Sequence, residues 1–326
     1  MSTLLPVVTN SQMKCFRRCP REHLITYTLG IRSTQEPEAL RFGSLAHTGL
    51  EGWWKGAAAT RLAAALAAMA GASSDAYELA RANVMLRGYD ARWGGEAFET
   101  ISVEHEFRAP LVNPETGAAS RTYELGGKLD VVVRDLTDGR VKLVEHKTTS
   151  EDIGTGSDYW KRLTIDPQIS TYFAGGKAAG FAIEECIYDV LGKPGLRPTK
   201  ATPMESRKYT KDGKLYAAQH EHDETPVEFE ARLAAHVAEN SDRYYQRGLV
   251  VRLESEEADA AYDTWHTARL IREAELANRW PRNPDACVRF GRTCHLFGVC
   301  TGSASLDDES LFRRTPNQHE ELSGAA

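Results

Sequence analysis

Short runs of apolar residues along the chain predict a sheet whose strands alternate with helices. The strands are expected at 102–107, 122–134, 141–145 and 183–191, where β-branched and other apolar residues dominate. Between the last two, Asp166-Pro167 predicts a helix start, with an acid at the N-cap and proline at the first helical position. A helix that crosses between two strands favours a mixed α/β sheet.

Helical patterns fill much of the remaining chain. The alanine- and leucine-rich segment 57–93 is expected to form helices, and the charged segments 224–245 and 255–277 are expected to form long ones. Thr9 to Gln12 has the pattern of a capping box and predicts the start of a first helix. The expected architecture is a small central mixed sheet flanked by helices.

Composition limits the class of protein. A chain of 326 residues with 41% hydrophobic content can bury a substantial core. We expect one domain over 1–302 and a polar, disordered tail over 303–326. No apolar run approaches the roughly 20 residues of a membrane span, and the first residues lack a basic leader, so a cytoplasmic protein without a membrane partner is expected. A net charge of −6 argues against a protein that coats nucleic acid non-specifically.

Acids and a lysine fall on two neighbouring predicted strands. Asp130 lies within the first, just before its three valines, and Glu145-His146-Lys147 ends the second. A two-residue hairpin turn at Asp138-Gly139 would place Asp130 opposite Lys147, with Glu145 on the same face. Such a set can hold a divalent cation beside a positive charge, which suits phosphodiester cleavage. The simpler alternative is a chance pairing of surface charges.

Two further segments carry candidate site residues. His47 lies four residues after Gly43 in a segment with helical spacing, and a neutral imidazole is a good ligand for divalent ions. Gln168 and Tyr172 share one face of the helix that Pro167 begins. A histidine satisfied in the interior and an ordinary amphipathic helix are the alternatives.

The cysteines form a second, independent pattern. Three of them lie in one C-terminal segment, and a fourth precedes a proline near the N-terminus: Cys287, Cys294, Cys300 and Cys19. Thiols grouped in a chain without a secretory signal indicate metal ligands rather than disulfides. Four thiolates suit zinc or an iron–sulfur cluster, and the spacing lacks the two-residue gaps typical of zinc ribbons. Cys15 is an alternative to Cys19, whereas Cys186 is expected in a buried strand.

The order Gly43…His47, Asp130, Glu145-x-Lys147, Gln168-x-x-x-Tyr172 resembles the motif series of the PD-(D/E)XK nuclease superfamily, in its RecB-like exonuclease branch. That resemblance implies a restriction-endonuclease-like fold in which His47, Asp130 and Glu145 bind Mg²⁺ or Mn²⁺. Lys147 would position or deprotonate the attacking water, or stabilise developing charge. Gln168 and Tyr172 would support the site and contact the strand.

The cysteine arrangement resembles that of the iron–sulfur exonucleases, meaning AddB-type nuclease domains and the CRISPR-associated "Cas-four" family. This resemblance implies that Cys19, Cys287, Cys294 and Cys300 hold a [4Fe–4S] cluster that joins the N- and C-terminal segments. A structural role for the cluster is preferred over a redox role. One departure concerns Cys287, because six residues separate it from Cys294 where those families often have two.

The expected function is a metal-dependent DNA exonuclease in recombination, repair or phage DNA processing. The segment 193–216 is rich in lysine and arginine with interleaved tyrosines, which suits a single strand of DNA entering from a free end. By analogy, the chain is expected to be phage-encoded, to act in a bacterial cytoplasm and to work with recombination or replication proteins. An endonuclease of the same superfamily and a non-cleaving DNA-binding or assembly subunit are the alternatives.

Overall fold

A computed structural model of the protein describes residues 4–289, 291–320 and 322. Its strands are β1 (Val7–Thr9), β2 (Ile31–Ser33), β3 (Phe98–Val112), β4 (Ala119–Asp135), β5 (Val141–Thr149), β6 (Ile183–Gly192), β7 (Tyr245–Val250), β8 (Val288–Arg289), β9 (Arg292–Thr293) and β10 (Phe312–Arg314). Its α-helices are α1 (Asn10–Arg18), α2 (Pro20–His23), α3 (Glu38–Lys55), α4 (Arg61–Ala72), α5 (Ala76–Trp93), α6 (Asp158–Lys161), α7 (Pro167–Ala178), α8 (Pro226–Glu239), α9 (Ser241–Tyr244), α10 (Glu254–Ala277) and α11 (Phe297–Thr301).

The central sheet is mixed, as the sequence predicts. Its strands follow the order β3-β4-β5-β6-β7, and β1 pairs with the first half of β4. Pairs β1–β4 and β5–β6 are parallel, whereas β3–β4, β4–β5 and β6–β7 are antiparallel. Helix α7 supplies the crossover between parallel strands β5 and β6. No helix in the described part of the chain is long and apolar enough to cross a membrane.

The two faces of the sheet bury separate apolar cores. Helices α3, α4, α5 and α8 cover one face, where Trp53, Trp54 and Phe229 are buried. Helices α1, α7 and α10 cover the other, where Met13 and Ile169 are buried. Since both faces are covered, polar groups at the middle of the sheet are held in a largely dry environment.

The β4–β5 hairpin has a longer turn than predicted. Arg134 pairs with Val141, and the Asp135 N–H donates to the Arg140 carbonyl at 2.9 Å, so four residues form the loop. The Asp135 carboxylate accepts from the Thr137 N–H at 2.9 Å and stabilises this loop. The register therefore differs by two residues from the predicted one and aligns Asp130 with Glu145 rather than with Lys147. A shift of two preserves the face on which each side chain lies.

The C-terminal segment differs most from its prediction. Strand β10 pairs antiparallel with β2, and Phe312 packs in a small core with Ile25, Ile31 and Leu296. The expectation of disorder is therefore wrong for this part of 303–326, because its few apolar residues find partners in the N-terminal segment. The predicted helix over 224–245 forms α8 and, after a break at Asn240, the short helix α9. The chain then enters strand β7.

Candidate metal site and cysteine cavity

Asp130 lies where the regular pattern of strand β4 breaks. Leu129 packs on the α7 side of the sheet, whereas Val131, two residues later, packs on the α3 side. The ladder to β5 ends at the pair Val131–Val144, and beyond it the His146 N–H donates to Asp130 Oδ2 at 2.9 Å. Irregularities of this kind re-aim side chains beside active sites. Here the irregularity turns the Asp130 carboxylate towards helix α3.

Three oxygen or nitrogen donors meet at this irregularity. One ligand atom each from His47, Glu104 and Asp130 lies within 4.8 Å of the others, and His47 Nδ1 is 3.8 Å from Asp130 Oδ2. Helix α3 approaches β5 closely at Gly43, where an added Cβ would lie 3.5 Å from Thr148 Oγ1. Imidazole and carboxylate donors together suit a divalent cation.

Glu104 is not among the ligands predicted from the sequence. It lies in β3, and its carboxylate contacts the Lys128 ammonium. Burial raises the pKa of Glu104, and the charge of Asp130 raises it further. The available signal was an acid in a predicted strand, 102–107, but nothing local showed that this strand pairs with the one that carries Asp130.

Glu145 is fully buried beside this group and anchors a second set of contacts. Its Oε1 accepts from the Lys147 ammonium and from Gln168 Nε2, the latter at 3.0 Å. Gln168 Nε2 also donates to the Tyr172 hydroxyl at 2.7 Å. Glu145 Oε2 has no hydrogen-bond partner among the residues that the structure describes. A buried carboxylate oxygen without a partner is costly unless a cation or water binds it.

The structure therefore brings the expected residues together with one difference in the donor group. His47 and Asp130 share it with Glu104, and the predicted third ligand, Glu145, lies outside that compact trio. Lys147, Gln168 and Tyr172 all lie around Glu145, as the motif resemblance implied. Together these seven side chains can bind a divalent cation and present a positive charge next to it.

Charges in the site are strongly coupled. Burial would raise the pKa of Asp130, but the neighbouring His47 and the hydrogen bond from His146 hold it below its usual range. Burial, and then the charge of Asp130, raise the pKa of Glu145 to about 8. Burial would lower the pKa of Lys147, but the charge of Glu145 raises it instead, so the ammonium stays protonated. A divalent cation would relieve the repulsion between the two carboxylates.

The imidazole of His47 stays neutral in these surroundings. Although 34% of its side chain is exposed, desolvation lowers the pKa of His47 to about 4, against the opposing effect of Asp130. A neutral imidazole keeps a lone pair for a metal ion.

His146, the residue between Glu145 and Lys147, points to the opposite side of β5 and is buried. Its Nε2 accepts from Trp54 Nε1 at 3.0 Å, which leaves the proton on Nδ1, 3.6 Å from Asp130 Oδ2. On the same side, the Tyr89 hydroxyl donates to Asp189 Oδ2 at 2.8 Å. In the sequence, His146 is only the spacer between Glu145 and Lys147. Its role depends on Trp54 and Tyr89, which only the fold brings to it.

The six cysteines do not form a single group. Four of them line one small cavity: Cys19, Cys287, Cys294 and Cys300. Cys15 and Cys186 are buried elsewhere, and Cys186 lies in β6 as predicted. Burial raises the pKa of both Cys294 and Cys300, and each is raised further by neighbouring thiols. Four thiols around one cavity fit the donor chemistry of zinc or an iron–sulfur cluster.

A mixed sheet that carries carboxylates, an imidazole and a lysine at one irregularity has the donor set of a divalent-cation site. The sequence profile of the PD-(D/E)XK nuclease superfamily matches residues 7–300. The chain therefore belongs to the PD-(D/E)XK nuclease superfamily. Membership suggests a metal-dependent nuclease with DNA as substrate, and nucleases of this superfamily usually use Mg²⁺ or Mn²⁺.

Other comparisons add little. No curated protein matches the chain significantly. The crystal structure of SSO0001 is similar over 71% of this chain and 84% of that chain, at 16% sequence identity and a TM-score of 0.22. A score this low supports no argument about function.

Proposed function

We propose that the protein is a metal-dependent DNA exonuclease that hydrolyses phosphodiester bonds, prefers single strands and carries a structural [4Fe–4S] cluster. The observation that supports catalysis most strongly is the meeting of His47, Glu104 and Asp130 beside the unpartnered oxygen of Glu145. The contact between Lys147 and Glu145 adds a cation at the same place.

His47, Glu104, Asp130 and Glu145 are the residues that would hold Mg²⁺ or Mn²⁺. When bound, such an ion activates water and neutralises charge on a phosphate. The Lys147 ammonium, protonated and held by Glu145, donates to a phosphate oxygen as charge develops there. We therefore assign Lys147 to charge stabilisation rather than to removal of a proton from water.

Gln168 and Tyr172 support the carboxylate. The Gln168 amide donates to both Glu145 Oε1 and the Tyr172 hydroxyl, so it fixes the orientation of the Glu145 side chain. Tyr172 is buried and is a support for the site rather than a surface for the strand. This differs from the strand contact that the motif resemblance implied for Tyr172.

Cys19, Cys287, Cys294 and Cys300 are proposed as the cluster ligands, because they share one cavity. Zinc bound by the same four thiols is the alternative. The biological setting, recombination, repair or phage DNA processing with partners from those systems, is proposed by analogy alone.

The alternatives within this proposal are an endonuclease and a non-cleaving subunit. A subunit that only binds DNA has no use for an acid and lysine pair buried at a strand end. The contacts around Glu145 therefore favour cleavage.

The first test is cleavage of labelled linear single-stranded DNA by anaerobically purified protein with Mg²⁺ or Mn²⁺. Asp130→Asn and Glu145→Gln should each remove nearly all cleavage and leave DNA binding largely intact. Glu99→Gln is the control, since Glu99 is an exposed acid on β3 paired with Arg134 at the surface. Equal cleavage by wild type and the Glu145→Gln variant would reject the proposed site.

A further inference from the structure

A large cavity opens beside helix α3 and strand β5, the elements that carry His47, Glu145 and Lys147. Its volume is about 1240 Å³, above the roughly 300–1,000 Å³ of most small-molecule sites. Phe42, five residues before His47, and Thr149, two residues after Lys147, both line it. The cavity therefore adjoins the two elements, α3 and β5, that carry the site residues. Its far side is formed by the segment that follows β6.

Acidic side chains in this cavity all have local partners. Glu38 pairs with Arg81 at 3.2 Å, and Glu151 pairs with Arg162. Asp75 caps helix α5 by accepting from the N–H groups of Tyr77 and Glu78. Asp152 accepts from the Gly154 N–H at 2.9 Å. Each carboxylate thus already accepts a hydrogen bond or forms an ion pair with a neighbouring group of the protein.

Three arginines in the cavity, unlike its carboxylates, have no local partner among the described residues. Arg197, Arg243 and Arg292 line it and are exposed, and among the residues that the structure describes none of the three guanidinium groups has a hydrogen-bond or ion-pair partner. They come from three separate parts of the chain: the segment after β6, helix α9 and strand β9. Unpaired guanidinium groups that meet in one concave surface suit a ligand with several phosphates.

The long spacing between Cys287 and Cys294 allows the chain to place Arg292 in the large cavity. The six residues between Cys287 and Cys294 carry strands β8 and β9, and the Cys294 N–H donates to the Cys287 carbonyl at 2.8 Å across the base of this hairpin. The extra residues thus extend the chain from the cysteine cavity to the large cavity. Among the described residues of this hairpin, Arg292 lines the large cavity.

The second half of the basic segment does not contribute to this surface. Tyr209 and Leu215 form an isolated bridge that closes a separate turn, and Arg207 donates to the Thr202 and Glu221 carbonyls. The exposed lysines of this turn lie outside the lining of the cavity: Lys208, Lys211 and Lys214. The basic segment 193–216, predicted as one continuous binding segment, therefore has two parts. Its first part lines the cavity, and its second part forms a separate turn.

Aromatic residues of the cavity indicate which part of a nucleic acid is bound. Phe42 and Tyr244 line it but are buried. The half-buried Tyr77 packs against Phe229 and donates its hydroxyl to the Glu224 carbonyl at 2.7 Å, so the protein itself already holds this third ring. Contacts are then made mainly to phosphates, which carry no sequence information.

We propose that this cavity binds the phosphodiester backbone of the strand next to the metal site, through Arg197, Arg243 and Arg292 and without sequence preference. The assignment of the ligand as nucleic acid rests on the proposed nuclease function. The lining of the cavity identifies the residues that bind the strand, and it leaves the lysine-bearing turn out of the binding surface.

Two triple variants with equal charge change test the proposal. One replaces Arg197, Arg243 and Arg292 by alanine, and the control replaces Lys208, Lys211 and Lys214 by alanine. All six side chains are exposed, so folding is expected to be unchanged and is checked by circular dichroism and thermal unfolding. Both sets are made in the Glu145→Gln background to suppress cleavage.

Binding is measured by fluorescence anisotropy with labelled oligothymidylate over a range of salt concentrations. The arginine variant should bind at least about tenfold more weakly, and the slope of log K against log salt should become shallower by about 2, since three phosphate contacts to a single strand are lost. The dissociation constant of the lysine variant should stay within about twofold of that of its parent, because no phosphate contact is lost. Equal effects in the two variants would overturn the proposal.

The outcome is separable from that of the cleavage test. If wild type cleaves DNA but the arginine and lysine variants bind alike, only the cavity assignment fails. If wild type does not cleave and the arginine variant alone loses binding, the nuclease proposal fails and the cavity remains a nucleic-acid site. Arg292→Ala by itself should weaken binding with unchanged metal content, which separates its effect from damage to the cysteine cavity.

Discussion

Glu104 has a left-handed backbone conformation, with a φ of 53°, in the middle of strand β3. This conformation is uncommon for residues other than glycine, and strained residues of this kind cluster at functional sites. Its carboxylate lies close to that of Asp130, where two like charges repel. The Lys128 contact offsets part of this repulsion, and a bound cation would offset more.

We expect Glu104→Gln to weaken metal binding, because the change removes a negative donor and keeps the size of the side chain. The concentration of Mn²⁺ needed for half-maximal cleavage should rise at least about tenfold, as for other groups at metal sites. Cleavage against metal concentration measures this, with Glu99→Gln as control. A curve that coincides with wild type would remove Glu104 from the ligand set.

His146 is expected to position Asp130. Replacing it with leucine removes the acceptor of the buried Trp54 N–H, which should cost about 1–3 kcal/mol of unfolding free energy. Loss of the imidazole beside Asp130 should also lower Mn²⁺ affinity by about 10- to 100-fold, the range seen when groups that orient metal ligands are removed. Denaturant unfolding and calorimetric metal titration measure the two effects. Trp54→Phe is the control and should affect stability more than metal affinity. Unchanged Mn²⁺ affinity in the His146→Leu variant would assign His146 a packing role alone.

At the scale of elements, three short segments bring the thiols together. Cys19 lies between α1 and α2, the hairpin β8–β9 is flanked by Cys287 and Cys294, and α11 carries Cys300. The hairpin β8–β9 and α11 bury no side chain among their described residues. Their position relative to Cys19 therefore depends on whatever the thiols bind.

Replacement of Cys19, Cys287, Cys294 or Cys300 by serine should therefore remove a bound cluster. The anaerobically purified wild type should be brown and contain about four irons per chain. Cys15→Ser and Cys186→Ser are the controls and should keep the colour. Colourless protein with one zinc per chain would instead assign the cavity to zinc.

At the scale of the whole molecule, the two ends of the chain are joined. Strand β10 pairs with β2, and the His319 imidazole lies 3.1 Å from the Val7 carbonyl. A cluster that linked Cys19 to Cys287 would close almost the entire chain. By the chain-entropy relation for disulfides, this closure would stabilise the fold by about 5–6 kcal/mol at most. Since β2–β10 pairing already holds the ends together, the real gain is expected to be smaller.

The covered position of the site also bears on the mode of cleavage. Glu145 and Asp130 are buried beneath α3 and α7, and the arginine-lined cavity lies to one side. A flexible strand with a free end can enter such a site more easily than a closed one. Linear single-stranded DNA should therefore be shortened progressively, and covalently closed circles should survive much longer under the same conditions. Circles cut as fast as linear strands would favour the endonuclease alternative.

Much of the fold followed from local signals in the sequence. Short runs of apolar residues located β4, β5 and β6. Asp166 caps α7 by accepting from the Gln168 N–H, as the Asp-Pro pair predicted. The same local rules placed Glu145 and Lys147 on one face, because alternate residues of a strand point to the same side. These features depend on neighbours in the chain, which a sequence displays directly.

Other features required partners that are distant in sequence. The two-residue shift in the β4–β5 register arises from the Asp135 carboxylate in the turn, and Glu104 became a site residue only when β3 paired with β4. Strand β10 formed on β2, and the basic segment divided according to which of its residues reached the cavity. The sequence by itself determined which donors are present and on which face of each element they lie. Only the tertiary structure decided which of them meet, because strand pairing and the packing of helices set distances between residues that the chain keeps far apart.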